Sequence, residues 1–213
     1  MSSVSPSLRK EYTQSKLIET DLESNPFQQF RKWFDDAIAD GVPLPNAMTL
    51  STVKKNQTPT ARIVLLKELD DRGFVFFTNY QSSKSDELAH QSKASLLFWW
   101  SSQERQVRIE GQTEKISDSE SKEYFATRPR DSQLSAWASN QSQPVTGRSE
   151  LEEKMEAMKT KFKGQQVFKP LEWGGFRLLP DFFEYWQGRE DRLHDRLCYY
   201  LRDGYWKIQR LAP

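Results

Sequence analysis

The segment Arg192-Leu193-His194-Asp195-Arg196 follows Tyr185-Trp186-Gln187-Gly188, so Arg, His and Arg recur at every second position beside an indole. In an extended strand those three side chains project to one face, where two guanidiniums and an imidazole could hold a planar, anionic ligand. Trp186 would cover a ring face, Gln106 and the pair Gln141-Ser142 would address polar edges, and Arg192 would lie over a π-system. Structural burial is the commoner fate of a Trp; the adjacent Arg-x-His-x-Arg spacing favours a site.

Three further clusters carry possible chemistry. Arg62-Ile63-Val64-Leu65-Leu66-Lys67 is an apolar strand bounded by cations, which fall on opposite faces unless the strand bulges; solvated strand ends are the alternative. Phe77-Thr78-Asn79 followed by Ser82-Ser83-Lys84 sits at a strand-to-helix junction, where free N–H groups, two hydroxyls and a lysine make a phosphate cradle. A serine cap with Lys84 in water explains the same residues equally well. Tyr124 and Arg128 lie four apart on one helical face, with Ser132 just past the break at Pro129. Phenol, guanidinium and hydroxyl suit a phosphate monoester, although Arg-Pro-Arg-Asp also reads as a charged turn.

The elements that must position these groups are of both kinds. Asn25-Pro26 opens an amphipathic helix in which Phe27, Phe30, Trp33, Phe34 and Ile38 recur until Gly41. Strands follow over 47–53, 60–69, 74–79, 95–101 and 105–116, interrupted by a short helix over 83–91. Ser117-Asp118-Ser119-Glu120 is a capping box that opens a helical block. Further helices cover 133–139 and 149–163, the latter with a stripe of Leu151, Met155, Met158 and Phe162. Strands return at 175–179, 183–187, 192–201 and 205–210. The fold class is α+β, mainly β: a closed or partly closed barrel of antiparallel strands with peripheral helices.

Composition limits the partners. The 213 residues carry 31 basic and 30 acidic side chains, net +1, so no global field attracts nucleic acid and anion binding must come from local clusters. With 13% aromatic residues the core is built from large rings. Cys198 is the single cysteine, which excludes an internal disulfide, and two distant histidines make no metal site. Cys198 reads as a small buried hydrophobe in a strand. No leader and no apolar run approaching ~18 residues is evident, so a cytoplasmic protein with no membrane partner is expected. Residues 1–20 are polar and Ser-rich, mobile in isolation and able to act as a lid, ahead of one domain over 21–213.

Several strings taken together resemble the pyridoxine (pyridoxamine) 5′-phosphate oxidase family. They are Arg62 to Lys67, Phe77-Thr78-Asn79, Glu104-Arg105-Gln106-Val107, Tyr124-Phe125 with Arg128-Pro129-Arg130-Asp131-Ser132-Gln133, Trp173-Gly174-Gly175, and Phe183 to Arg196 with Trp206 to Pro213. They run in the family's order from about residue 9 to the last residue.

The resemblance implies an FMN-binding split β-barrel homodimer with two sites at the subunit interface. It implies FMN contacts from Arg62, Ile63, Val64, Leu65, Leu66, Lys67, Phe77, Thr78, Ser83, Lys84, Gln106, Trp186 and Arg196, with Gln141 and Ser142 reaching in from the partner chain. Substrate phosphate falls to Lys67, Tyr124, Arg128 and Ser132; Arg192 and His194 are the catalytic pair at the pyridine ring, and Arg9 with Tyr12 closes over the site. One departure matters: many relatives read Ser-Arg-Lys where this chain has Ser82-Ser83-Lys84, so a hydroxyl replaces a guanidinium.

The implied reaction oxidises pyridoxine 5′-phosphate or pyridoxamine 5′-phosphate to pyridoxal 5′-phosphate. Hydride passes from C4′ to flavin N5, and O2 is reduced to H2O2. Ammonia is released from the amine, and no metal is needed. Two other classes compete: a non-catalytic flavin or pyridoxal-phosphate carrier, disfavoured by the Arg192/His194 pair, and a nicotinamide-dependent flavin reductase, disfavoured by the Tyr124/Arg128/Ser132 set.

Overall fold

The computed structural model describes residues 11–213. Its strands are β1 (Ala47–Val53), β2 (Pro59–Leu65), β3 (Glu68–Leu69), β4 (Phe74–Asn79), β5 (Lys93–Trp100), β6 (Arg105–Lys115), β7 (Trp173–Gln187), β8 (Asp195–Arg202) and β9 (Tyr205–Leu211). The helices are α1 (Pro26–Ala39), α2 (Ser83–His90), α3 (Asp118–Thr127), α4 (Arg130–Ala138) and α5 (Arg148–Lys161). The strands form one sheet in the order β2-β1-β5-β6-β7-β4-β3, with β8 pairing with β7 and β9 with β8. No described helix is long and apolar enough to cross a membrane.

Local signals set most element ends. Asn25 accepts a hydrogen bond from the Phe27 N–H at 2.8 Å and Pro26 starts α1, the arrangement its sequence predicts. Past the other end Gly41 takes φ +67°, and Val42 N–H donates to the Ala37 carbonyl at 2.9 Å, which closes a left-handed cap that favours glycine. Ser117 and Glu120 form the capping box of α3 with both reciprocal bonds present.

Several expectations change: the strand expected over 60–69 is split into β2 and β3, and two further differences concern α1 and β7. Ile38 is 54% exposed, because Ala37 takes the inward position after Phe27, Phe30 and Trp33. The two strands expected over 175–187 are one, β7, which continues through Pro180. Residues 173–178 pair with β4 and 182–187 pair with β8, so Pro180 falls where the neighbour on that edge changes and no amide is needed there.

The chain divides into two compact units, one made of Met1–Leu50, Ser95–Gly111 and Pro180–Pro213, the other of Ser51–Ala94 and Gln112–Leu179. In the first, α1 lays Phe30 against Phe98 (4.9 Å between ring centroids), Trp33 edge-on to Tyr185 (5.1 Å) and Phe27 against Phe183 (5.4 Å). Cys198 is buried there in β8, its thiol pushed up to about 11 by burial, as expected of a structural cysteine. In the second unit, Phe125, Leu134, Phe162, Val167 and Trp173 form the helical core, with Met155 and Met158 of α5 packed on it.

Candidate functional site

The second unit holds a cavity of about 540 Å³, within the range of small-molecule sites. Its walls come from the end of β2 (Ile63, Val64, Leu65), from Lys67, from the end of β4 (Phe77, Thr78, Asn79), from Lys84 and from Tyr124, Arg128, Gln141 and Trp173. Strict alternation would have sent Arg62 and Lys67 to opposite faces. Instead β2 ends at Leu65, and Lys67 turns into the cavity while its N–H pairs with the Val75 carbonyl at 2.9 Å. Leu66 is buried beneath and is not a wall residue.

Lys84 is the centre of one end. Its Nζ donates to Thr78 Oγ1 (3.1 Å), Ser82 Oγ (3.0 Å) and Gln141 Oε1 (3.2 Å), all neutral oxygens. Burial and the nearby Arg62 charge both hold its pKa below the usual lysine range. Lys84 and the first turn of α2, whose cap residue Ser82 makes no side-chain capping bond, form a donor set for a dianion, with the Arg62 charge nearby. Arg62 itself donates to Glu87 Oε2 at 2.8 Å and to Thr60 and Thr52. Burial raises the Glu87 pKa, but the bonds from Thr52, Thr60 and Arg62 outweigh it and leave the acid ionised. Glu87 therefore fixes Arg62, and Arg62 acts on the cavity through its charge.

Gln141 and Ser142, implied to reach in from a partner chain, lie in this chain's own cradle. Gln141 Oε1 accepts from Thr78 Oγ1 at 2.9 Å and from the Asn79 N–H at 3.3 Å; Ser142 Oγ accepts from the Ser83 N–H at 3.2 Å. The physical reason is the short turn after α4, in which Ser142 adopts φ +70°, returning the chain to the start of α2.

The other end is aromatic. Phe77, Tyr124 and Trp173 stack nearly parallel, with centroids 3.9 Å apart for Phe77–Tyr124 and 5.1 Å for Phe77–Trp173. Gly175 makes room for this, since a Cβ there would come within 3.0 Å of the Phe77 ring. Arg128 lies over Trp173 at 4.7 Å, and its buried Nη1 has no hydrogen-bond partner among the described residues. Desolvation lowers its pKa, as expected of a buried guanidinium that lacks an acidic partner among the described residues. Ser132 is not among the wall residues; Ser135, Ala136 and Ser139 of α4 and its C-cap stand there instead. Those three, Asn79 and Trp173 are not among the site residues expected from sequence, although Asn79 and Trp173 belong to strings that carry the family resemblance.

The first unit holds a second cavity, about 320 Å³, lined by Gln106, Arg108, Glu184, Trp186, His194, Arg196 and Pro213. Trp186 of β7 and Arg196 of β8 are register partners. The strand expected from residue 192 begins only at Asp195; Asp191 and Arg192 take φ +54° and +61° in a tight turn. Arg192 is therefore an exposed turn residue and not a member of an alternating row, while His194 packs 4.6 Å from the Trp186 ring. His194 Nδ1 accepts the Arg189 N–H at 3.1 Å, which places the proton of the neutral ring on Nε2. Burial and the Arg192 charge lower its pKa. Tyr12 meets Trp186 and His194 edge-on at 5.7 and 5.6 Å; Arg9 lies outside the described residues.

Glu184 and Arg108 were missed from sequence. Alternation along β7 puts Glu184 on the Trp186 face, which could have flagged it. It accepts from Arg196 Nε at 2.7 Å and from Arg108 Nη2 at 2.6 Å; burial raises its pKa, but these bonds prevail and keep it ionised. Arg196 Nη1 also donates to the Ala212 carbonyl at 2.9 Å, so this guanidinium is fixed on three sides.

A family model described as "Pyridoxamine 5'-phosphate oxidase" matches residues 34–162, and one described as "Pyridoxine 5'-phosphate oxidase C-terminal dimerisation region" matches residues 173–213. The chain is 52% identical to a pyridoxine/pyridoxamine 5′-phosphate oxidase of Cyanothece sp. over 97% of both chains. It is 53% identical to one of Nostoc punctiforme, again over 97% of both. Among solved structures it is similar to PhzG from Burkholderia lata, at 29% identity and TM-score 0.87, covering 92% of this chain and 98% of that one. An FMN-binding protein of Nostoc punctiforme, 16% identical with TM-score 0.69 over 86% of this chain and 97% of that one, shares the fold. The chain has the split-barrel fold and belongs to the pyridoxine/pyridoxamine 5′-phosphate oxidase family.

Proposed function

We propose that the protein is an FMN-dependent homodimeric oxidase that converts pyridoxine 5′-phosphate or pyridoxamine 5′-phosphate to pyridoxal 5′-phosphate. The observation that carries the reading is Lys84, partly desolvated beside Arg62 and bonded to neutral oxygens, next to an aromatic-walled cavity containing the unpaired Arg128 Nη1. That donor set fits the phosphate of FMN at Lys84, Thr78, Gln141 and the Ser83 turn, and the phosphate of the substrate at Lys67, Tyr124 and Arg128. Ser132 is proposed with the latter through its place on α4. FMN held there would supply the two-electron chemistry, taking up hydride from substrate C4′ at N5 with O2 as the final acceptor, reduced to H2O2.

The chain's own residues bind and orient. Anchoring the substrate phosphate at Arg128 and Lys67 turns remote binding energy into approach of C4′. His194, neutral and with its proton on Nε2, is set to donate to the oxygen or nitrogen on C4′, and Arg192 stabilises negative charge there. With the alcohol, loss of the hydroxyl proton to solvent as the hydride leaves gives the aldehyde directly; the amine loses an N–H proton in the same way and gives a free imine, which water hydrolyses to aldehyde and ammonia.

Each cavity draws its walls from one unit, the phosphate groups in one and Trp186, His194 and Arg196 in the other. We assign the complete site to two copies of the chain. Tyr205 (76% exposed) and Ile208 (40%) on the terminal strand β9 offer apolar surface for the second copy. Mixing Arg128→Ala and His194→Ala subunits tests this: each homodimer is impaired, and heterodimers regain one intact site if the two residues come from different chains. No recovery in verified heterodimers rejects the shared site.

Anaerobic addition of pyridoxamine 5′-phosphate should bleach the flavin band, and aerobic turnover should yield aldehyde and H2O2 together; an unbleached flavin rejects the function. Lys84→Gln should weaken FMN binding at least about tenfold, from loss of a charge-assisted bond of about 1.5–3 kcal/mol, measured by flavin fluorescence quenching.

The His194 ring should titrate below 6.5 in the folded protein by NMR. Because its folded pKa is depressed, its contribution to stability is present above the unfolded value and lost as pH falls through the folded one.

A further inference from the structure

Asp195 follows His194 and lines neither of the two cavities, yet it is a buried acid whose side chain bonds to Leu17 of the N-terminal segment, to Arg210, which holds the same residue, and to Arg189. Its Oδ2 accepts the Leu17 N–H at 3.0 Å and Arg189 Nη1 at 3.0 Å; its Oδ1 accepts Arg210 Nη1 at 2.7 Å. Burial alone would raise its pKa, but these bonds outweigh that and keep it ionised.

Arg210 completes the clamp. Its Nη2 donates to the Leu17 carbonyl at 2.9 Å and to Glu19 Oε2 at 3.0 Å, and its Nε donates to Glu19 Oε1 at 2.8 Å. Both main-chain groups of Leu17 are thus held by one acid–base pair, and the Leu17 side chain is buried under them. Glu19 is drawn down to about 2 by the same arginine. Between this clamp and Tyr12, among the described residues, the Gln14 N–H donates to Glu104 Oε2 at 3.1 Å.

The consequence falls on Tyr12. Its ring stands edge-on to both Trp186 and His194, over Gly188, where any Cβ would come within 2.7 Å of the ring. A phenol at the end of a tether can keep that pose only if the tether is fixed, since ordering a chain segment costs conformational entropy at every residue. The fixing groups are charge-assisted, the strong kind of hydrogen bond.

We infer that Asp195, together with Arg210, is a positioning residue for substrate binding: it clamps Leu17 so that Tyr12 is held against His194 and Trp186, and it does so without touching substrate. This rests on reading the His194 cavity as the substrate half-site. It separates two jobs on adjacent residues, His194 facing the ligand and Asp195 holding the segment that covers it.

The test uses the FMN-loaded dimer and Asp195→Asn, which keeps size but removes the charge shared by two guanidiniums. Lys16 is exposed beside the clamp, so tryptic cleavage after it reports release of the segment independently of turnover. The expected result is cleavage about tenfold faster and KM for pyridoxamine 5′-phosphate raised about tenfold, with kcat and FMN affinity held. Glu19→Gln, at the exposed end of Arg210, should shift both in the same direction by less, and Arg210→Lys should retain part of the clamp; these two carry the test if Asp195→Asn does not fold. Cleavage and KM at wild-type values, or a fall in kcat with KM unchanged, overturns the inference. Wild-type flavin that pyridoxamine 5′-phosphate fails to bleach would instead reject the functional reading, whatever the cleavage rates.

Discussion

Arg128→Ala raises KM for pyridoxamine 5′-phosphate about 10- to 150-fold while the protein retains its flavin. The guanidinium stands at the C-cap of α3, where Pro129 forces the preceding residue out of helical geometry and turns it toward the cavity. There it lies over Trp173 at 4.7 Å and Phe125 at 5.5 Å, with a buried Nη1 that none of the described residues satisfies. A charge-assisted bond to a phosphate contributes about 1.5–3 kcal/mol, which is the stated range in KM. Arg128→Lys should restore only part of it, because an ammonium loses both the planar contact with Trp173 and the fork of donors. Steady-state kinetics with flavin content measured alongside decide the point; an unchanged KM removes Arg128 from the phosphate site.

Glu184→Ala lowers stability by about 3 kcal/mol and weakens FMN binding with it. Removing one member of a buried ion pair leaves the other uncompensated, at about 3–5 kcal/mol. The lower end applies because the Arg196 and Arg108 side chains remain 28% and 35% exposed and water can solvate them in part. Glu184 also fixes the Arg196 guanidinium by two bonds, of 2.7 and 3.2 Å, so its loss releases the group assigned to the flavin. Denaturant unfolding of the apoprotein and a flavin titration separate the two effects. Glu184→Gln, which keeps one acceptor, should fall between; wild-type stability in Glu184→Ala would show that the triad adds nothing net.

How far the sequence leads depends on the range of the interaction. β1 and β4 have the bounds that alternation and turn residues predict, and the caps of α1 and α3 are those their residues announce. Each such signal acts within a few residues. The proposed phosphate cradle is legible for a similar reason: Thr78, Ser82, Ser83 and Lys84 are neighbours on one strand-to-helix turn. Glu184, Arg108 and Trp173 escaped because their roles come from partners distant in the chain.

The 192–196 segment shows the limit most clearly. Composition and spacing made it an alternating strand, yet residues 191 and 192 take positive φ and β8 starts only at Asp195, its amides and carbonyls committed to β7 and β9. His194 still meets Trp186, but through a turn, and Arg192 leaves the row. The sequence by itself determined the chemistry available, the family and nearly every element, because residue type, capping and periodicity are local properties. Only the tertiary structure decided which cations are paired, which are left for a ligand, and that Asp195 faces the N-terminal segment while its neighbour faces the cavity. Those outcomes depend on burial and on hydrogen-bond competition among residues brought together by the sheet, and no short stretch of chain contains that information.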